Sequence, residues 1–151
     1  MTARLDVMTA APEAMRTWYE ASLAINASLE PTLAHLVKIR ASQINGCASC
    51  INMHTIDARR DGETEQRLAL LPAWREAPCY SERERAALAW TEALTQISQG
   101  HAHEAAYPAL AAHFTEEEQM RLTLAINVIN GWNRIMVGFG AWYEVPERRA
   151  A

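Results

Sequence analysis

The chain has 151 residues, 50 % of them apolar and 21 % charged, with a formal net charge of −4. One domain over residues 1–151 is long enough to bury a core, and the composition excludes a disordered or low-complexity protein. Mild acidity, a single lysine (Lys38) and no basic run give nucleic acid no electrostatic footprint, and no apolar stretch approaches the roughly 20 residues that span a bilayer.

The N-terminal stretch MTARLDVMTAAPEAMRTWYE lacks an apolar segment between a basic start and a small-residue cleavage site. No secretion signal is read there, and a cytoplasmic protein is expected. Pro12 suits the start of a helix, and Met15, Trp18, Tyr19, Leu23 and Ile25 follow at roughly helical spacing. Pro31 opens a second helix with Leu33, Leu36, Val37 and Ile44 on its pattern, ended by Asn45-Gly46 as a C-cap. The third begins at or just after Cys47 and runs to ARRDG, where Gly62 is another cap candidate. ETEQRLALLPAW predicts a shorter helix, stopped or bent near Pro72.

Ser81 and Glu84 have capping-box spacing and open a helix with Ala87, Leu88, Leu94 and Ile97 on its apolar face. SQGHAH reads as a loop, and EAAYPALAAHF as a weak helix with Pro108 inside it. Thr115 and Glu118 form a second capping box before a long helix through GFGAW. No alternating strand or hairpin stands out. The expected fold is an all-α bundle of about six or seven helices. Trp132, Met136, Phe139 and Trp142 make the last helix unusually apolar, which favours a central core helix over an oligomer interface.

The stretch INGCASCINMH, residues 44–54, carries the chemistry. Three cysteines are an odd number, and a close pair in a cytosolic chain points to catalysis or metal binding before a structural staple. With a helix starting near Cys47, both thiols fall in its first turn, where free N–H groups and the helix dipole favour thiolate. Cys47 and Cys50 are three apart, Cys50 and His54 four apart, so each pair shares a face. His54 can accept the thiol proton and return it to a leaving oxygen. One thiolate attacks a peroxide, becomes sulfenic acid and is resolved by the other sulfur. Cys50 is assigned as the attacking sulfur, and Cys47, nearer the loop and solvent, as the resolving one.

A thioredoxin-like site needs a strand before its cysteines, whereas the segment here is helical. Covalent haem attachment needs histidine directly after the second cysteine, where Ile51 stands. Zinc is a more serious competitor, because His35 on the preceding helix could join Cys47, Cys50 and His54. The spacing matches no common finger pattern, so redox chemistry is preferred, with zinc and passive buried thiols as open alternatives.

The run from Leu36 to His54, the SERERAALAW block and the late INGWNR segment together resemble the alkylhydroperoxidase AhpD-like core of the carboxymuconolactone decarboxylase superfamily, over roughly residues 30–142. The resemblance implies an all-helical fold assembled as trimers or hexamers, with peroxidase chemistry at the dithiol. It also supports the roles of Cys50, Cys47 and His54. The expected partners are a hydroperoxide and an external thiol reductant, with no organic cofactor, metal, nucleic acid or membrane. A lactone-processing decarboxylase is the weaker reading within the superfamily, since that branch generally lacks the cysteine pair. A non-catalytic metal-binding or redox-sensing oligomer is the reading outside enzymes.

One position departs from the family. Twelve residues before the first cysteine a relay glutamate is usual, and here that residue is His35. An imidazole can pass a proton but cannot supply the negative charge that would make His54 more basic. Glu30 is a possible stand-in on the same helix. Elsewhere, Cys79 reads as a passive side chain, His101, His103 and Glu104 as solvated loop residues, and His113 as a helix-end cation. Asn127, Asn130 and Asn133 repeat every three residues and are expected to be hydrogen-bonded near helix ends or the dithiol. Trp132 and Arg134 are candidates for shaping a pocket, with core packing as the default.

Overall fold

The structure is a computed structural model and describes residues 2–144. Helices run in the order α1 (Pro12–Asn26), α2 (Pro31–Asn45), α3 (Ala48–Arg60), α4 (Glu65–Leu70), α5 (Glu82–Thr95), α6 (Ala102–His113) and α7 (Glu116–Phe139), with short 3₁₀ turns at Leu71–Ala73 and Ile97–Gln99. The fold is all-α, with no strand among the described residues.

Local chemistry explains most boundaries. Pro12 and Pro31 stand at the starts of α1 and α2, where a missing N–H costs no intrahelical bond. Ser81 and Thr115 each accept from the backbone N–H three residues on, and Glu84 and Glu118 reach back, so both expected capping boxes form. Pro108 stands inside α6 as expected. Two boundaries differ from expectation. His103 belongs to α6 rather than to the loop, and α7 stops at Phe139 because Gly140 turns left-handed, short of Trp142.

The centre of the molecule is α2. Leu33, Leu36, Val37, Ile39 and Ala41 are buried around its circumference, against α3, α5, α7 and the Leu71–Ala73 turn. One apolar cluster joins Leu36 and Ile39 to Leu68, Leu71, Trp74, Tyr80 and Leu88, and another joins Leu33 and Val37 to Leu110, Phe114, Leu122 and Ile126. Between α2, α5 and the turn lies the buried Glu92. Its carboxylate accepts from Arg40 Nε at 2.7 Å and Trp74 Nε1 at 2.8 Å and meets Arg75 at 2.5 Å. Burial opposes its ionisation, but these donors outweigh the penalty and hold the carboxyl below its ordinary range.

The long helix α7 is a core helix as expected, but not through the residues that suggested it. Its core face is Leu122, Ala125, Ile126, Val128 and Ile129, whereas Trp132 and Met136 are half-buried and Phe139 and Trp142 exposed. At 24 residues α7 is about 36 Å long, against about 22 Å for the 15-residue α2, so its last turns overhang the helix it packs on. α1 lies on this helix: Trp18 and Trp132 rings sit 6.0 Å apart, and Trp132 Nε1–H donates to the buried Ser22 Oγ at 3.0 Å. A Cβ at Gly131 would stand 2.7 Å from the Trp18 ring, so the close approach needs glycine.

Candidate dithiol site

α2 and α3 are joined without a loop. Gly46 takes φ 66°, Gly46 N–H donates to Gln43 O at 3.3 Å, and Cys47 N–H to Ser42 O at 3.0 Å. That pair of bonds is a Schellman motif, and it delivers Cys47 directly into the N-cap of α3. Cys47 Sγ accepts from the Cys50 N–H at 3.3 Å, so the sulfur takes the place usually filled by a capping oxygen. Cys47 and Cys50 are joined as a disulfide with Cα atoms 5.3 Å apart. The expected corner therefore forms where Asn45-Gly46 predicts it.

Polar side chains hold the corner against α7. Asn45 Nδ2 donates to Asn130 Oδ1 and Asn133 Oδ1, both at 2.9 Å. Asn133 donates to Ser42 Oγ at 3.0 Å, and Asn130 to Thr95 Oγ1 at 3.0 Å and Ile126 O at 2.9 Å. Two of the three periodic asparagines thus do what their spacing predicts, while Asn127 is exposed. A small apolar niche of Ala41, Cys47, Cys50 and Ile129, with Met136 against it, encloses the sulfurs. The chain beyond α7 crosses the start of α3, where Tyr143 N–H donates to the buried Ser49 Oγ at 2.9 Å.

This enclosure corrects the argument for the resolving sulfur. Cys47 is 1 % exposed and Cys50 3 %, so Cys47 is not the more open thiol, although Gly46 beside it is exposed. What distinguishes Cys50 is its place one turn before His54 on α3. His54 is buried, and its pKa is pushed down to about 3, by burial first and then by its neighbours Lys38 and His35. It is a neutral imidazole at physiological pH. Its Nδ1 is buried without a protein partner.

His35 is not the surface histidine that its place on a helix allows. It is buried, and its Nε2 lies 2.6 Å from Asp61 Oδ2 at the C-terminal end of α3. Glu30 has no part in this: it is exposed and pairs with Arg83 at 2.8 Å. Asp61 is the residue that reading by sequence missed, because it stands 26 positions away with nothing local to mark it. Lys38, half-buried on α2, senses both Asp57 and Asp61, so α2 and α3 share a charged face toward the C-terminal end of α3.

Among the described residues the cluster with metal-ligand spacing is elsewhere, at His101, His103 and Glu104, whose ligand atoms lie within 4.8 Å of one another. Cys79 is half-buried against the core and unpaired. Trp132 packs on α1, and Arg134 is exposed and donates to Asn130 O at 2.9 Å, so neither lines the dithiol niche. No helix among the described residues is long and apolar enough to cross a membrane.

Residues 10–93 match the carboxymuconolactone decarboxylase family. The chain belongs to that family. Within it, the uncharacterized YdfG of Bacillus subtilis is 43 % identical over 141 residues, 93 % of this chain and 96 % of the relative. YnjA of Escherichia coli, also uncharacterized, is 32 % identical over 119 residues, 78 % of this chain and 62 % of that protein. A crystal structure from Agrobacterium tumefaciens, of a protein of unknown function described as a candidate antioxidant defence protein AhpD, superposes with a TM-score of 0.91 at 43 % identity. It covers 96 % of this chain and is itself covered completely. The debrominase Bmp8 shares the fold at 21 % identity, with a TM-score of 0.78 over 88 % of this chain and 72 % of its own.

Proposed function

We propose that this family member is a thiol-dependent peroxidase, a dithiol–disulfide oxidoreductase of antioxidant defence that reduces hydroperoxides through Cys50 and Cys47. The observation that carries the reading is the cysteine pair at the start of α3, one turn before a buried neutral histidine. The likeness to the candidate antioxidant protein of Agrobacterium tumefaciens supports it. In the reduced enzyme Cys50 yields its proton to His54, and the thiolate attacks one peroxide oxygen. The O–O bond breaks, an S–O bond forms, and the leaving alkoxide takes the proton back, so that thiol and hydroperoxide become sulfenic acid and alcohol. Cys47 then displaces water from the sulfenic sulfur to give the disulfide, which an external dithiol reduces. Self-association as a trimer or hexamer in the cytoplasm is part of the proposal.

The test is a thiol titration of the reduced protein with excess hydroperoxide. Two thiols per chain should disappear, with Cys79 still titratable, and Cys50→Ser should lose turnover with a dithiol donor by at least about 100-fold. Unchanged Cys47 and Cys50 thiols, or full turnover by Cys50→Ser, would overturn the assignment.

A further inference from the structure

His54 is a poor place to leave a proton, since burial and the neighbouring Lys38 cation disfavour its charged form. A proton taken from Cys50 therefore has to move on if thiolate is to persist at neutral pH. The adjacent group built to hold it is His35. With Nε2–H donating to Asp61 Oδ2 at 2.6 Å, the lone pair of the neutral ring is on Nδ1. That nitrogen is buried with no protein partner, as is Nδ1 of His54. Asp61 also stands where the dipole of α3 disfavours a carboxylate, at the helix C-terminus. The hydrogen bond from His35 nevertheless holds its carboxyl below the ordinary range, so it is ionised at neutral pH.

The geometry points to Asp61 as a positioning residue for the thiol chemistry: by accepting from Nε2–H of His35 it fixes the tautomer that leaves the buried Nδ1 as the acceptor for the proton Cys50 gives up. The inference rests on Cys50 being the reactive sulfur. The proton leaves Cys50 Sγ, passes through His54 to His35 Nδ1, and returns by the same route to the alkoxide released from the peroxide. No net charge is left behind. A carboxylate at the end of α3, acting through an imidazole on α2, thus supplies the negative charge absent at position 35. The other charged groups around this pair are Lys38 on the helix of His35, which senses Asp61 and Asp57 of α3, with Arg60 bonding Asp57 at 3.4 Å; Arg40 further along α2 is engaged by Glu92 of α5.

The sign of one measurement decides the matter. In the reduced full-length protein, the pH at half-maximal rate of Cys50 alkylation is read by mass spectrometry, with Cys79 as internal control. Deleting a nearby carboxylate by through-space electrostatics alone favours thiolate and lowers that pH. Loss of a proton store raises it. Asp61→Ala should raise the midpoint by about one pH unit, tenfold less thiolate at fixed pH, with Cys79 unmoved and Asp61→Glu restoring the wild-type curve. A midpoint that falls or stays put in Asp61→Ala overturns the assignment. A raised midpoint in a protein that reduces no hydroperoxide sustains the positioning role and removes the peroxidase reading instead.

Discussion

His54 couples the chemistry of the site to the acid stability of the whole chain. In the unfolded chain its imidazole titrates near pH 6.5, whereas in the oxidised native protein its pKa is about 3. Above pH 6.5 both states are neutral and the group contributes nothing. As pH falls below 6.5, the unfolded chain binds a proton that the native chain refuses, so stability falls by about 1.4 kcal/mol per unit until about pH 3. Between pH 7 and 5 this one residue should cost about 2 kcal/mol. Urea midpoints at the two pH values should show that loss shrinking by about the same amount in His54→Gln; an unaltered loss would deny the burial argument. The four-residue step from Cys50 to His54 is visible in sequence because both lie on one helix. The bond between His35 and Asp61 is not, because it joins opposite ends of two antiparallel neighbours 26 residues apart.

At the scale of elements, the α2–α3 corner and the Glu92 junction are two different ways of fixing α2. The corner is set by local rules, an αL glycine feeding an N-cap, and is legible in INGCASC alone. The junction is not: Arg40, Trp74, Arg75 and Glu92 meet from α2, the 3₁₀ turn with the residues after it, and α5. Glu92→Ala leaves Arg40 half-buried without its anion and the Trp74 N–H without an acceptor. It should lower stability by about 3–5 kcal/mol in urea unfolding, the range for breaking one side of a buried ion pair. A loss within about 0.5 kcal/mol, as at an ordinary surface position, would show the junction to be solvated. The asparagine period on α7 was equally readable, but which two of its three members face inward depends on how α7 rolls against α2.

For the molecule as a whole, the overhang of α7 leaves a run of large apolar side chains in solvent. Val137, Phe139, Trp142 and Tyr143 are all more than a third exposed. The N-terminal segment is tied to the same end, Arg4 N–H donating to Phe139 O at 2.9 Å, and adds the exposed Leu5 and Met8. Isolated exposed apolar residues are ordinary, but a grouped set on one overhanging end is what self-association covers. Light scattering at micromolar concentration should give three or six times the chain mass of 16.9 kDa, and Val137→Glu with Phe139→Glu should reduce it without loss of helical circular dichroism. A wild-type monomer would sink the oligomer proposal.

Whatever depends on near neighbours along the chain is legible in the residues alone. Proline and capping boxes mark helix starts, Gly46 marks the corner, and the spacing of Cys47, Cys50 and His54 puts three reactive groups on one helix. Each of these is a matter of a few consecutive backbone dihedrals or one helical turn. Packing between helices sets the rest: that Cys47 is as enclosed as Cys50, that the apolar end of α7 is surface, and that the carboxylate beside His35 is Asp61 rather than Glu30. Burial and long-range pairing are properties of helix faces brought together, and a single face seen alone does not carry them.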